Sequence, residues 1–233
     1  MPTTIESTAE PAEIARFDAL ASTWWDPSGP MRPLHRMNPV RTAWIHARIP
    51  PASQILDVGC GAGLLSEALA RLGHTVHGID AAGAALNAAR AHAEGQGLPL
   101  TYRDALPEHL AAEPSRYTFI TALEVIEHVP DPMVFVKTLA SLLTPDGTLF
   151  LSTLNRTLKS FLTAKLAAEY VLRWLPVGTH NWRQFLTPKE IGADLRAAGL
   201  RIADIAGLAM NPVTMRWHIS RDLGVNYILQ AKR

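Results

Sequence analysis

The most constraining stretch of this chain runs from Gln54 to Asp80. Ile55-Leu56-Asp57-Val58 is a short apolar run that enters Gly59-Cys60-Gly61-Ala62-Gly63 with no spacer. Leu64–Leu72 follows with helical spacing, and Gly73 stops it. Thr75–Ile79 is a second apolar run, closed by Asp80. A strand delivered into a glycine turn and a helix, then followed by another strand, is a parallel β–α–β unit. The rhythm continues through a helix at Ala84–Glu94, strands at Leu100–Tyr102 and Tyr117–Leu123, a helix at Pro132–Leu143 capped by Asp131, and a strand at Thr148–Ser152. Thr187-Pro188-Lys189-Glu190 reads as a capping box with proline in the first turn. The helix it opens ends near Gly199, and Leu200–Ile205 and Val225–Gln230 supply two last strands. The pattern predicts an α/β fold: a Rossmann-like, doubly wound and mostly parallel sheet of seven strands with helices on both faces. Strands covered on both faces read as apolar runs, not alternations, as these do.

Two segments lie outside that rhythm. Residues 1–50 are expected to form an N-terminal helical cap. Pro11 opens one helix, with Phe17, Leu20, Ala21 and Trp24 at i, i+3, i+4 and i+7, and Pro39 starts a second that runs to about Arg48. Trp24 and Trp25 are read as closing an apolar helix face, in preference to covering a ligand. Residues 155–184 are expected to be a helical insertion or lid after the fifth strand, and the whole chain, 1–233, to be one domain. A length of 233 residues, 48% of them hydrophobic, suffices for one sizeable core and excludes a disordered chain. The 22 basic and 21 acidic residues give a net charge of +1, without the basic excess of a dedicated nucleic-acid binder. The single cysteine, Cys60, excludes an internal disulfide or a multi-cysteine zinc site. The first fifteen residues carry three acidic side chains and no basic one, which argues against a secretory leader.

The chemistry is expected at the carboxyl ends of the strands. The spacing Gly-x-Gly-x-Gly at residues 59–63 differs from the Gly-x-Gly-x-x-Gly of a pyrophosphate cofactor, and no Gly-Lys-Ser/Thr follows. An acidic residue ending the second strand, Asp80, can accept both hydroxyls of a ribose. Glu124, Glu127 and His128 follow the fourth strand at i, i+3 and i+4, so a helical turn would set them on one face. Two carboxylates and an imidazole so placed suit either a divalent metal or a proton relay. Mg²⁺ favours oxygen ligands, whereas the histidine leans toward Zn²⁺, Mn²⁺ or Fe.

The glycine string resembles motif I of the class I S-adenosylmethionine (SAM) methyltransferases, and the likeness covers about Gln54 to Ser152. That resemblance implies SAM as methyl donor. Gly59 would contact its methionine part, with Gly61 a further cofactor-binding residue, Asp80 at the ribose, Asp104 at the adenine amino group and Leu123 lining the pocket. Further strings are more specific: Phe17–Ala21 with Trp24-Trp25-Asp26, Pro33–Arg41, Glu124–Pro132, Ser152–Arg156, Gly178-Thr179-His180, Asn211-Pro212 and Val225-Asn226-Tyr227. Together they resemble the ubiquinone-biosynthesis O-methyltransferases from about Ile14 to Leu229. Asn181 departs from the pattern, where that family leads us to expect Asp.

The likeness implies methylation of a hydroxyl of 2-polyprenyl-6-hydroxyphenol and of 3-demethylubiquinol. It places Arg41 at the cofactor carboxylate, and Glu124, Glu127 and His128 in the catalytic machinery, at positions that bind Mg²⁺ in eukaryotic relatives. The expected setting is cytoplasmic and peripheral on the inner face of the membrane, beside other ubiquinone-biosynthesis proteins and without nucleic acid. Phe161–Leu175 would be an amphipathic helix with Lys165, Glu169 and Arg173 as its charged stripe, read equally as a membrane-interface helix or as a lid or dimer contact. The competing readings are a methyltransferase of another small phenol and a non-catalytic SAM-binding scaffold.

Overall fold

Five strands run parallel where the apolar runs predict them: β1 (Gln54–Val58), β2 (Thr75–Asp80), β3 (Leu100–Asp104), β4 (Tyr117–Leu123) and β5 (Leu143–Leu154). The structure is a computed structural model that describes residues 9–163, 182–211 and 213–233. The C-terminal strands are β6 (Arg201–Met210), β7 (Trp217–Ser220) and β8 (Asn226–Lys232). The sheet order is β3-β2-β1-β4-β5-β8-β6-β7, with β8 inserted antiparallel between β5 and β6. Among the described residues there are thus eight strands, one more than expected. The addition, β7, is a four-residue edge strand antiparallel to β6, and its Trp217-His218-Ile219-Ser220 carries too little apolar pattern to announce itself.

The helices are α1 (Pro11–Leu20), α2 (Arg32–His46), α3 (Leu64–Arg71), α4 (Gly83–Ala93), α5 (Pro107–Ala111), α6 (Pro132–Leu142), the single turn α7 (Leu158–Ser160) and α8 (Pro188–Ala197). The expected caps are present. The Asp131 carboxylate accepts from the Met133 and Val134 amides, and Thr187 with Glu190 closes a reciprocal capping box on α8. The second helix starts at Arg32, earlier than expected, because Pro33 occupies its first turn and Pro39 is carried inside it. The Pro39 ring removes the donor that would reach the His35 carbonyl, a defect that the surrounding packing tolerates. The five-residue α5 was not foreseen.

Neighbouring residues of β1 show how the layers are built. Leu56 packs with Ile120, Leu149 and Leu229 under Val136 and Leu139 of α6 and Ile191 and Leu195 of α8. Ile55, pointing the other way, packs with Val76, Phe150 and Ile228 under Trp44 and Ile45 of α2 and Leu65 and Leu69 of α3. Each such side chain, fully buried, contributes about 1.5–3 kcal/mol. The chain winds outward from β1 to β3, then crosses to β4 on the opposite side of β1. Such a switch point leaves a crevice beyond the carboxyl ends of β1 and β4, and that crevice is where the cavity lies.

Candidate active site

The crevice widens into a cavity of about 760 Å³ bounded by the glycine turn, the Glu124–His128 turn, α1 and α2, and the β6–β7 end of the sheet. Gly59, Gly61 and Gly63 have φ of +68°, +53° and +86°. The turn is also too crowded for side chains. A Cβ on Gly59 would stand 2.4 Å from Val125 Cγ2, and one on Gly61 would stand 2.5 Å from the Trp24 ring. The Gly59 and Cys60 amides both donate to the Ile79 carbonyl, at 2.8 and 3.1 Å, which ties the turn to β2. Trp24 is buried against this turn, and Trp25 donates its Nε1–H to the Ala62 carbonyl at 3.0 Å while stacking on His92. Trp24 packs against a turn and not a helix face, and it also lines the cavity.

Asp80 reaches back from β2. Its Oδ2 accepts from the Gly61 amide at 2.7 Å and its Oδ1 from the Ala82 amide at 2.8 Å. Burial raises the pKa of this carboxyl, and the Ala82, Gly61 and Ala81 amides oppose the shift. A carboxylate offers about four acceptor sites, so two hydroxyl donors can still be taken. Asp57, 2% exposed, accepts from Ser66 Oγ at 2.6 Å and Thr121 Oγ1 at 2.7 Å, joining β1 to α3 and β4. Arg41 is buried and faces the cavity. Its Nε donates to Asn38 Oδ1 at 3.0 Å, and Asn38 Nδ2 donates to the Leu64 carbonyl at 2.7 Å. Burial lowers the Arg41 pKa, against the fields of Glu124 and Asp57, yet the guanidinium closes no ion pair among the described residues. A buried cation in that condition calls for an anion. Leu123 lines the cavity as expected. Asp104 does not. It pairs in register with Asp80 but is exposed, and its neighbours Ala105 and Leu106 face the cavity in its place.

The Glu124–His128 turn departs from expectation. Glu124 takes a left-handed backbone with φ of +57°, so no α-helical turn spans the segment, and only Ile126–His128 coil into a short 3₁₀ turn. The three side chains consequently turn to different partners. Glu124 accepts from Ser152 Oγ at 2.6 Å and from Asn226 Nδ2 at 3.2 Å. Glu127, 4% exposed, accepts from Thr153 Oγ1 at 2.8 Å, and burial followed by the Glu124 charge pushes its pKa up to about 7. His128 Nδ1 lies 2.8 Å from a carboxylate oxygen of Glu13 on α1. Burial alone would lower the imidazole pKa, but the Glu13 contact and the Glu127 charge outweigh it and raise it. Among the described residues no three histidine, cysteine, aspartate or glutamate side chains form a group fit to hold a metal ion, so the expected metal set is corrected to three separately anchored groups.

Ser152, Thr153 and Asn226 fall within the resembling strings, and spacing alone gives them no role. Glu13 carries no local signal at all, because its partner is distant in the chain. Asn181 and residues 164–175 of the amphipathic segment lie outside the described residues. Among those described, no helix is long and apolar enough to cross a membrane.

Known proteins agree with this geometry. A methyltransferase-domain family model matches residues 32–205. A ubiquinone biosynthesis O-methyltransferase of Parvibaculum lavamentivorans is 46% identical over 97% of this chain and 95% of its own. One of Pseudomonas aeruginosa is 45% identical over 97% of this chain and 99% of its own. The magnesium protoporphyrin IX methyltransferase of Synechocystis, solved with bound SAH, shares the fold with a TM-score of 0.69 at 23% identity, covering 95% of this chain and 99% of that one. With full-length likeness of this order, the chain belongs to the ubiquinone biosynthesis O-methyltransferase family.

Proposed function

We propose that this protein is a SAM-dependent O-methyltransferase acting on hydroxyls of polyprenylated phenols and quinols, 2-polyprenyl-6-hydroxyphenol and 3-demethylubiquinol being the substrates its family suggests. The observation that carries the reading is the juxtaposition, across one cavity, of a glycine turn backed by Asp80 with a buried Arg41 that closes no ion pair among the described residues and with the Glu124–His128 turn. The residues fit the cofactor. The turn admits close contact with the main chain, Asp80 has acceptor capacity for a ribose, and Arg41 lacks the anion that an amino-acid carboxylate provides. Bound there, the cofactor supplies a methyl group already activated on a sulfonium.

The protein's task is then to orient and ionise the acceptor. A phenolic hydroxyl, by analogy with tyrosine at pKa about 10, is ionised in about one molecule per thousand at pH 7, a deficit of about 4 kcal/mol. His128 is the base. Its ring is the group in the cavity able to take the hydroxyl proton, and its Nδ1 lies 2.8 Å from a Glu13 carboxylate oxygen without hydrogen-bond geometry. Glu127, once ionised, adds a favourable charge near the imidazolium, and Glu124 is clamped by Ser152 and Asn226. No step is assigned to a divalent ion, because the three candidate ligands are separately anchored.

The far wall of the cavity, formed by Leu34, Met37, Leu208, Met210, Met215 and Trp217, suits an isoprenoid chain. Leu158, Leu162 and Val213 are 71%, 51% and 88% exposed, close in sequence to the cavity-lining Lys159, Thr163 and Met215, and favour a peripheral contact with the membrane surface. The test is turnover of a short-chain demethylubiquinol analogue with labelled SAM. Transfer of label to the quinol oxygen is the expected result. Transfer only to simple phenols lacking the quinone substituents, or none, would defeat this assignment.

A further inference from the structure

The β6–β7 hairpin overhangs the crevice. Leu208 pairs with Asn226, the first residue of β8, and Asn226 pairs with Leu154, the last residue of β5. Ala209 and Met210 therefore run past the end of the central strands, where they pair with His218 and Trp217 of β7. Alternate residues of a strand share a face, and paired residues point to the same side, so Leu208, Met210 and Trp217 present one apolar surface. Leu34 and Met37 of α2 belong to the same apolar cluster as Leu208 and Trp217, and all five residues line the cavity. The other face of β6 is closed, because a Cβ on Gly207 would stand 1.9 Å from the Asp222 carbonyl oxygen. The inner end of the apolar surface abuts the acceptor wall, since Asn226, which donates to Glu124, is the partner of Leu208. Burial then falls outward, from Leu208 at 1% exposed, through the half-buried Met210 and Trp217, to Val213 at the exposed tip. The tip is folded: Asn211 Oδ1 accepts from the Val213 and Thr214 amides at 2.9 and 3.0 Å.

We propose that the β6–β7 hairpin is a tail guide: Met210 and Trp217, facing α2, carry the first isoprene units of the acceptor out of the cavity toward Val213. The inference rests on the reading of a polyprenylated acceptor given above, and it assigns selection for the tail to these two side chains. An isoprenoid chain offers no hydrogen bond, so it is recognised by apolar burial alone, and the flexible thioether of Met210 adapts to its bends. A phenol without a tail fills only the inner cavity and makes no use of the overhang. Two residues of strand span about 7 Å. The hairpin thus grips only the units nearest the ring and leaves the remainder of the tail outside, which makes selection insensitive to total tail length.

The full-length chain tests this with demethylubiquinol analogues carrying no tail or one, two or three isoprene units. In the parent protein kcat/KM should rise by about 10-fold or more with each of the first two units and then level off, because apolar burial ends at the hairpin tip. Met210→Glu sets a charge in the passage. It should cut the ratio of kcat/KM for the two-unit acceptor to that for the tail-less one by about 10-fold or more, whereas Met210→Leu should keep that ratio within about twofold. A two-unit acceptor with a diazirine in its first isoprene unit should, on irradiation of the parent protein, label residues 34–37 or 208–217, a readout that needs no variant to fold. If the ratio is unchanged in Met210→Glu, or the label falls on other residues, the guide is overturned, while transfer to the tail-less quinol leaves the methyltransferase reading standing. A parent protein that gains nothing from the first unit overturns it as well. Absence of transfer to every acceptor defeats the reading on which the guide rests.

Discussion

The two walls of the cavity are built in opposite ways. The cofactor wall, from Asp57 through the glycine turn to Asp80, is a continuous β–α–β passage whose key contact, Asp80 to the Gly61 amide, spans only 19 residues. The acceptor wall is gathered from across the chain. Glu124 is held by Ser152, 28 residues away, and by Asn226, 102 residues away, while His128 Nδ1 lies 2.8 Å from a carboxylate oxygen of the distant Glu13. On the proposed reading, the cofactor wall would bind with backbone geometry and one carboxylate, and the acceptor wall would tune side-chain chemistry by bringing charges together in a buried place. The first can be shared among enzymes of many substrates, and the second is where one substrate class is selected.

If the walls divide the work in this way, substitutions should separate binding from turnover. His128→Gln should lower kcat by about 10²- to 10⁴-fold while the Kd for SAM, measured by calorimetry, stays near that of the parent protein. A matching loss of SAM affinity would break the division. Glu127 offers a second view of the acceptor wall through stability. Its folded pKa of about 7 lies above the unfolded value of 4.5, so the native state keeps a proton that the unfolded chain has released. Its contribution should be most favourable below pH 4.5 and should weaken as pH rises from there through about 7. Denaturant titrations from pH 5 to pH 8 should show that decline in the parent protein and a shallower one in Glu127→Gln.

On the cofactor wall, Gly59→Val forces a β-branched side chain into left-handed backbone and against Val125. A SAM affinity loss of about 100-fold is expected from the strain and overlap together, in a protein that still folds cooperatively by circular dichroism. Smallest of all, Thr187→Ala removes the cap of α8, away from both walls. It should cost about 1 kcal/mol in urea titrations and leave kcat and Kd unchanged.

What was legible in the chain follows the same line. Apolar runs, the glycine turn, Asp131 and the Thr187–Glu190 box act over a few residues, and each element they predict is present. Asp80 was readable because strand order places it beside the turn. At Glu124–His128 the i, i+3, i+4 spacing suggests a helical face, but Glu124 takes a left-handed conformation and contacts β5 and β8, distant elements that no short window contains. Pro39 misled in the reverse sense, since helix packing outweighed its usual role as a starter. Asp104, correctly placed at the end of β3, turned outward, which the strand pattern alone could not show. Glu13 was invisible because pairing between distant residues leaves no periodic trace.

The most direct test is a crystal structure of the protein with the demethylated donor, S-adenosylhomocysteine. The ribose hydroxyls should lie within hydrogen-bonding distance of Asp80, the amino-acid carboxylate should meet Arg41, and the sulfur should face His128 across the cavity. A nucleoside bound away from the glycine turn, or a sulfur pointing away from His128, would contradict the account.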